Sequence, residues 1–341
     1  LAAERLDPHW REYFAGGAGA ERTLGENVAA FGRWRPRQRV LRGLDRVSTA
    51  QSVLGHELAT PLVVAPVAYQ RMAHAEGEEG MARAAAAAGA GYCLSTFATA
   101  TPADVASAAP TVTRFLQVYV FRDHAVTDEL IARALDAGFT AIFLTVDLPV
   151  VGFRDRERRI AWTFPEDSLP AVRYALDRGV TGTGLDVVDP ALDWSYVERL
   201  SASVPVPVVV KGILEPEDAV LAVEHGAAGV VVSNHGGRQL DGVTPTIDAL
   251  PLVVDAVGDR LEVLVDGGIR RGTDVALALA LGARAVLVGR LPLWGLAAGG
   301  EDGARTVLDL LSEELAVALH LMGCPGVGEV GREHVARIDA P

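Results

Sequence analysis

The sequence predicts an α/β fold of the (β/α)8 TIM-barrel kind, with an N-terminal helical extension and a lid insertion after the fourth strand. Three observations carry that expectation. Eight short apolar, β-branched runs recur along the chain, helix-like stretches separate them, and a glycine follows several of those stretches as a stop signal (Gly89, Gly138, Gly226, Gly282). A length of 341 residues and 35.9 kDa suits one barrel domain over residues 1–341.

The elements follow in order. Residues 1–58 read as a helical segment, clearest from Arg5 to Arg46 and interrupted by Ala-Gly-Gly-Ala-Gly at 15–19. The strand-like runs are Leu62 to Ala65, Tyr92 to Ser95, Phe115 to Val118, Ala141 to Val146, Val206 to Val210, Gly229 to Val232, Glu262 to Val265 and Ala285 to Val288. Helix-like stretches lie at Glu76 to Ala88, Thr127 to Ala137, Glu215 to His225 and Thr273 to Leu281. Near-continuous apolar strands imply burial on both faces, which favours a closed parallel barrel over an open doubly wound sheet. The interval between Ala141 and Val206 is far longer than the others. Within it, residues from about 155 to 190 carry Arg, Pro, Gly and Asp without sustained periodicity, so a long loop is expected to cover the catalytic face as a lid.

Composition narrows the function. Half the residues are apolar and only 6% aromatic, which supplies a core and excludes a disordered chain. A net charge of −13 repels a phosphate backbone, so no nucleic-acid partner is expected. No run of eighteen apolar residues and no charged-then-apolar opening segment occurs, so no membrane association is expected. The chain starts at Leu1 rather than Met, and a short leader is expected to be missing from it. Two cysteines, Cys93 and Cys324, have neither disulfide-framework nor zinc spacing, which fits a cytoplasmic protein.

The chain holds one lysine, Lys211, in the apolar run that ends Val-Val-Val-Lys-Gly at 208–212. An ammonium there is costly to bury unpaired, which marks it as functional. Chemistry in such barrels sits at the carboxyl ends of the strands. Those ends carry Ser95 and Thr96, Gln117 and Tyr119, Thr145 and Asp147, Lys211, Ser233 to His235, Asp266, and Gly289 with Arg290. The last two ends, Asp-Gly-Gly-Ile-Arg at 266–270 and Val-Gly-Arg at 288–290, are glycine-rich and basic, as a phosphate site needs. The densest constellation is Ser-Asn-His-Gly-Gly-Arg-Gln-Leu-Asp-Gly at 233–242, where His235 and Arg238 can pair a general base with a carboxylate clamp. His74 is ambiguous, the other histidines lack such context, and no metal site is expected.

These residues resemble the FMN-dependent L-2-hydroxy acid oxidases and dehydrogenases, a family that includes glycolate, lactate and mandelate-oxidising enzymes. The likeness covers nearly the whole chain. It rests on the 233–241 motif, on Asp-Gly-Gly-Ile-Arg-Arg-Gly at 266–272, on Leu-Thr-Val-Asp at 144–147, and on Ala-Pro-Val-Ala at 65–68. Gln-Val-Tyr at 117–119, Val-Lys-Gly at 210–212 and Tyr-Phe-Ala-Gly-Gly-Ala at 13–18 support it.

The resemblance implies FMN as cofactor. It implies His235 as the base that takes the α-proton, with Asp147 stabilising the imidazolium, Tyr119 bonding the substrate hydroxyl, and Arg238, Arg154 and Tyr13 holding the carboxylate. Lys211 is implied at the pyrimidine end of the flavin. Further flavin contacts are implied at Pro66, Val67, Ala68, Ser95, Gln117, Thr145 and Ser233, and phosphate-end contacts at Asp266, Gly268, Arg270, Gly289 and Arg290. After Gly152 the chain departs from the family pattern, reading Phe-Arg-Asp-Arg-Glu-Arg-Arg at 153–159, so Arg156 stays open as the alternative to Arg154 and the remaining charges read as solvated lid surface. With Phe97 where glycolate oxidases tend to have Trp, and Tyr69 after the Pro-Val-Ala segment as in hydroxymandelate oxidases, the resemblance implies an aromatic 2-hydroxy acid such as mandelate or 4-hydroxymandelate. With no haem domain or membrane-docking stretch in view, O2 is the expected acceptor and a homo-oligomer, tetramer or octamer, the expected assembly. The alternatives are a dehydrogenase using another acceptor, and a non-redox isomerase or aldolase with Lys211 as its reactive amine.

Overall fold

The computed structural model describes residues 1–163, 165, 168–179 and 184–338. Eight parallel strands close in chain order: Leu62–Val64, Gly91–Leu94, Arg114–Val118, Ile142–Thr145, Val208–Ile213, Gly229–Val232, Glu262–Val265 and Ala285–Val288. The last pairs with the first, Val286 opposite Leu62, so the fold is the (β/α)8 barrel. The fifth strand starts later than its apolar run because Pro205 and Pro207 lack the N–H a ladder requires. It also continues through Lys211 to Ile213, with an irregularity between those two residues.

Both faces of the strands are buried, which explains their lack of alternation. Inside the barrel, Val63, Cys93, Phe115, Phe143, Val209, Val231, Leu264 and Leu287 form one cluster, with Phe115 and Phe143 stacked at 5.3 Å. Their neighbours Leu62, Leu94, Leu116, Ile142, Val210, Val232 and Val265 face outward, packed in the larger cluster with the helices.

The N-terminal segment departs from the expectation of a helical 1–58. Helices Ala2–Arg5, Pro8–Ala15 and Arg22–Ala29 and a 3-10 turn Ala30–Arg33 end before Trp34–Pro36, which pairs antiparallel with Val335–Arg337. Pro36 has no N–H to continue a helix. Gln51–Val53 and His56–Leu58 then form a hairpin, turning on Leu54 and Gly55, both at positive φ as a two-residue primed turn requires. Val53, Leu54 and Leu58 join the inner cluster and so close the amino end of the barrel.

The expected lid loop is also corrected in part. It carries helices Asp155–Arg159 and Pro170–Asp177 and a 3-10 turn Gly184–Val187, pieces too short to impose a visible period. The rest of that expectation falls partly outside the described residues. Among the described residues no helix is long and apolar enough to cross a membrane.

Candidate active site

At the carboxyl ends of the strands lies a cavity of ≈ 390 Å3, walled by residues from the N-terminal helix Pro8–Ala15, the strand-end loops and the insertion. Of the residues singled out from sequence, Tyr13, Pro66, Val67, Ala68, Ser95, Gln117, Tyr119, Thr145, Arg154, Lys211, His235, Arg238, Asp266, Gly268, Arg270, Gly289 and Arg290 all line it. Asp147 and Ser233 stand behind the wall.

His235 projects from the loop after the sixth strand with its backbone at φ 56°, a conformation that a non-glycine residue rarely holds without support. The support is visible. Its N–H donates to Ser233 Oγ at 3.1 Å, and the loop is fixed by two reciprocal 2.8 Å bonds between the amides of Asn234 and Asn27. His235 Nδ1 lies 2.8 Å from Asp147 Oδ1. Burial works against the Asp147 carboxylate, but His235 and Lys211 outweigh it and hold it below its ordinary range. An ionised carboxylate can only accept, so Nδ1 carries the proton and the Nε2 lone pair faces the cavity. Tyr119 Oη sits 3.3 Å from that Nε2 and can donate to it. Burial, with Lys211 and Arg154 nearby, lowers the imidazole pKa against the pull of Asp147, so the ring is neutral near pH 7. The approach of Asp147 requires glycine at 212, where a Cβ would fall 2.6 Å from that of Asp147.

Two arginines close the opposite side. Arg154 is buried at the start of the helix Asp155–Arg159, and its Nε donates to the Arg238 carbonyl at 3.1 Å. Arg238 Nη1 donates to the carbonyls of Tyr13 and Gly16 at 2.7 and 2.8 Å, and its guanidinium lies 4.7 Å from the Tyr13 ring centre. Arg156 instead turns away to Glu12 and Glu21, so of the two lid arginines it is Arg154 that faces the cavity. Sequence reasoning missed Glu157 and Gln239. Glu157 Oε1 accepts from Arg154 Nη1 at 3.1 Å and Arg238 Nη2 at 2.9 Å. Its signal was the i,i+3 spacing from Arg154 on a helix. Gln239 Nε2 donates to the carbonyls of Asp147 and Val150, and its Oε1 accepts from Gly152 N–H, tying the two active-site loops together.

Lys211 Nζ lies 3.0 Å from Ser233 Oγ and 3.2 Å from Asp266 Oδ2. Burial alone would lower its pKa, yet Asp266 and Asp147 outweigh that and keep the ammonium charged. Asp266 is thus the charge partner of Lys211. Its Oδ1 is buried without a partner among the described residues, an acceptor available to a hydroxyl of a ligand. Ser233 Oγ accepts from Lys211 Nζ and from the His235 N–H, which leaves its own hydroxyl hydrogen to donate. Gln117 links the neighbouring strand ends: its Nε2 donates to Thr145 Oγ1 at 3.0 Å, and its Oε1 accepts from Thr96 N–H at 3.1 Å and Ser95 Oγ at 3.3 Å.

Arg270 and Arg290 line the same cavity, together with Gly268 and Gly289. Burial, with Arg238, Arg270 and Arg154 close by, pushes the Arg290 pKa down to about 9, and its three donors bond the carbonyls of Phe14, Gly236 and Gly16. Burial lowers the Arg270 pKa against Asp274. Such concentrated positive charge suits an anion. Gly268, at φ 86°, leaves no room for a Cβ, which would fall 2.0 Å from the Asn27 carbonyl oxygen. The donor set, the open Asp266 oxygen and the polar strand ends together fit a ligand with a ring, a hydroxylated chain and a phosphate.

Aromatic side chains share the remaining wall with aliphatic ones such as Leu148, Val151, Ile269, Leu291 and Leu293. Tyr13 stacks on Trp162 at 4.8 Å, Tyr69 lies 6.0 Å from Trp162, and Phe97 stacks on Tyr119 at 5.2 Å. Among the described residues no group of three His, Cys, Asp or Glu could hold a metal ion.

Comparison with known proteins agrees with this geometry. Residues 2–337 match the family model described as FMN-dependent dehydrogenase. The chain is 44% identical to an L-lactate oxidase of Nostoc sp., covering 97% of this chain and 94% of that one. It is 42% identical to 2-hydroxyacid oxidase 1 of Homo sapiens, covering 96% and 91%. A mandelate oxidase solved with benzoyl-formic acid superposes with a TM-score of 0.89 at 44% identity, covering 98% of this chain and 95% of that one.

Proposed function

Because the chain belongs to the FMN-dependent dehydrogenase family, we propose that it oxidises an aromatic (S)-2-hydroxy acid, such as mandelate or 4-hydroxymandelate, to the 2-keto acid with O2 reduced to hydrogen peroxide. The observation that carries this reading is the Nε2 lone pair of a neutral His235, beside a buried tyrosine hydroxyl and facing a cavity with two buried arginines. FMN, when bound, supplies the two-electron acceptor that no side chain can provide.

In this reading Arg154, Arg238 and Tyr13 hold the substrate carboxylate and thereby orient the α-carbon. His235 Nε2 takes a proton from the substrate, and Asp147 stabilises the imidazolium that results. Tyr119 turns its hydroxyl to the substrate oxygen. Lys211, held charged by Asp266, would offer a positive charge to a bound flavin. Pro66, Val67, Ala68, Ser95, Gln117, Thr145 and Ser233 would hold the flavin ring, Ser233 also steadies Lys211 and His235, and Asp266 Oδ1 would be free to accept from the cofactor. Gly268, Arg270, Gly289 and Arg290 receive the phosphate. Tyr69, Phe97 and Trp162 supply the apolar surface that favours an aromatic ring.

A Schiff-base role for Lys211 is disfavoured, since the ammonium is 5% exposed and paired with Asp266. A cytoplasmic homo-oligomer, tetramer or octamer, completes the reading, on the family likeness and the two unpaired buried cysteines. The test is a visible spectrum of the FMN-loaded protein under anaerobic addition of mandelate, lactate and glycolate in separate samples. Bleaching fastest with mandelate and recolouring on admission of air support it; bleaching without recolouring points to another electron acceptor, and no bleaching overturns it.

A further inference from the structure

Glu157 lies outside every role assigned above, yet among the described residues it is the carboxylate that pairs with both arginines. Its side chain is 11% exposed, and those of Arg154 and Arg238 are 8% and 13% exposed, so the three charges interact largely out of water. One oxygen, Oε1, bridges Arg154 Nη1 and Arg238 Nη2. Arg238 Nη1 is taken by two backbone carbonyls, and Arg154 Nη2 reaches Gln239 Oε1 at 3.5 Å. Each guanidinium therefore already has a carboxylate partner before any substrate arrives. Glu157 is itself held by the helix Asp155–Arg159, which Arg156 fastens to the N-terminal segment through Glu12 and Glu21.

We propose that Glu157 is a specificity-determining residue, a built-in counter-charge that leaves the arginine pair with one net positive charge, so that it accepts a single carboxylate. This rests on the reading of Arg154 and Arg238 as the carboxylate clamp. With one substrate carboxylate bound, the group of three side chains is neutralised, and a second carboxylate on the same acid meets no further net positive charge from that group. The 2-keto acid product carries the same carboxylate as the substrate, so a doubly charged clamp would grip both states alike and slow product release without aiding chemistry. Glu157 keeps that uniform grip weak. The site selects 2-hydroxy monocarboxylates by repelling the alternatives as well as by attracting the substrate.

The test uses calorimetric titration of the FMN-loaded enzyme at pH 8 with three unreactive ligands that share a ring: phenylacetate, phenylmalonate and phenylacetamide. In the wild type, phenylmalonate is expected to bind at least about tenfold more weakly than phenylacetate. Glu157→Gln keeps the shape and removes the charge; it is expected to tighten phenylacetate about tenfold and phenylmalonate by more, with phenylacetamide unmoved. Equal wild-type affinity for the two acids overturns the proposal without any variant, and so does a Glu157→Gln enzyme that binds phenylacetate no more tightly. Arg238→Met, titrated in parallel, separates the two readings. If it leaves phenylacetate binding intact, the clamp itself is wrong; if it weakens binding while Glu157→Gln does not strengthen it, only the role of Glu157 falls.

Discussion

His235 Nδ1 and Asp147 Oδ1 stand 2.8 Å apart although 88 residues separate them, and the contact exists only because Gly212 on the intervening strand has no side chain. A single geometric fact thus sets the tautomer of the histidine, the direction of its lone pair and the chemistry the cavity can perform.

Replacing His235 by Gln removes the proton acceptor while keeping a side chain of similar reach. The flavin spectrum is expected to persist, and the rate of flavin reduction by a 2-hydroxy acid to fall by roughly 10²–10⁴. Anaerobic stopped-flow absorbance checks both at once; an unchanged rate removes His235 from the role of base.

The pH dependence follows from the direction of the histidine shift. A base must be unprotonated, so kcat/KM is expected to be constant at neutral pH and to fall as the pH drops through the His235 pKa, which lies below its ordinary value of 6.5. Asp147 raises that pKa, so Asp147→Asn should move the acid limb to still lower pH and slow turnover. A limb that moves upward, measured as kcat/KM from pH 4.5 to 9, contradicts the pairing.

The two lid arginines are expected to behave oppositely. Arg154→Gln should weaken binding of a carboxylate ligand by about 2–5 kcal/mol, since it removes a buried, hydrogen-bonded charge from the cavity. Arg156→Gln breaks partly exposed pairs with Glu12 and Glu21, which changes kcat/KM by less than about threefold and stability by ~1 kcal/mol or less. Steady-state kinetics on the two variants decides which arginine matters.

Lys211→Met leaves Asp266 buried without its cation, a change that costs about 3–5 kcal/mol when one partner of a buried pair is removed. A lower melting temperature and weaker FMN retention after gel filtration are the expected outcomes. Retention of flavin at the wild-type level would detach Lys211 from the cofactor.

Gly212→Ala places a methyl group against the Cβ and Cγ of Asp147 at a residue whose φ is 118°. Backbone strain and displacement of Asp147 should lower stability by at least about 1–3 kcal/mol and reduce activity with it. Urea unfolding together with turnover checks this, and a fully active, equally stable variant would show that the approach of Asp147 tolerates bulk.

Much of this molecule was legible in its sequence. Apolar runs fully buried on both faces mark the eight strands without reference to structure, and the polar residues after them mark one end of the barrel, because a parallel barrel collects its strand-end loops there. The cluster around His235 is legible because Ser233 to Asp241 is contiguous, so its pattern survives in one dimension. The hairpin Gln51–Val53 with His56–Leu58 was not read, since three-residue strands carry too little alternation to be seen. The lid helices were missed on the same ground.

By itself, then, the sequence determined the barrel, the glycine-rich basic strand ends, the one costly lysine and the histidine of the 233–241 motif, all features written in local composition or short contiguous motifs. Tertiary structure alone decided which lid arginine faces the cavity, that Asp266 pairs with Lys211, that Ser233 accepts from Lys211 and the His235 N–H and that Glu157 bridges both arginines. Each of those depends on the direction of one side chain relative to residues far away in the chain. Burial and charge pairing select such directions, and neither quantity exists until the chain has folded.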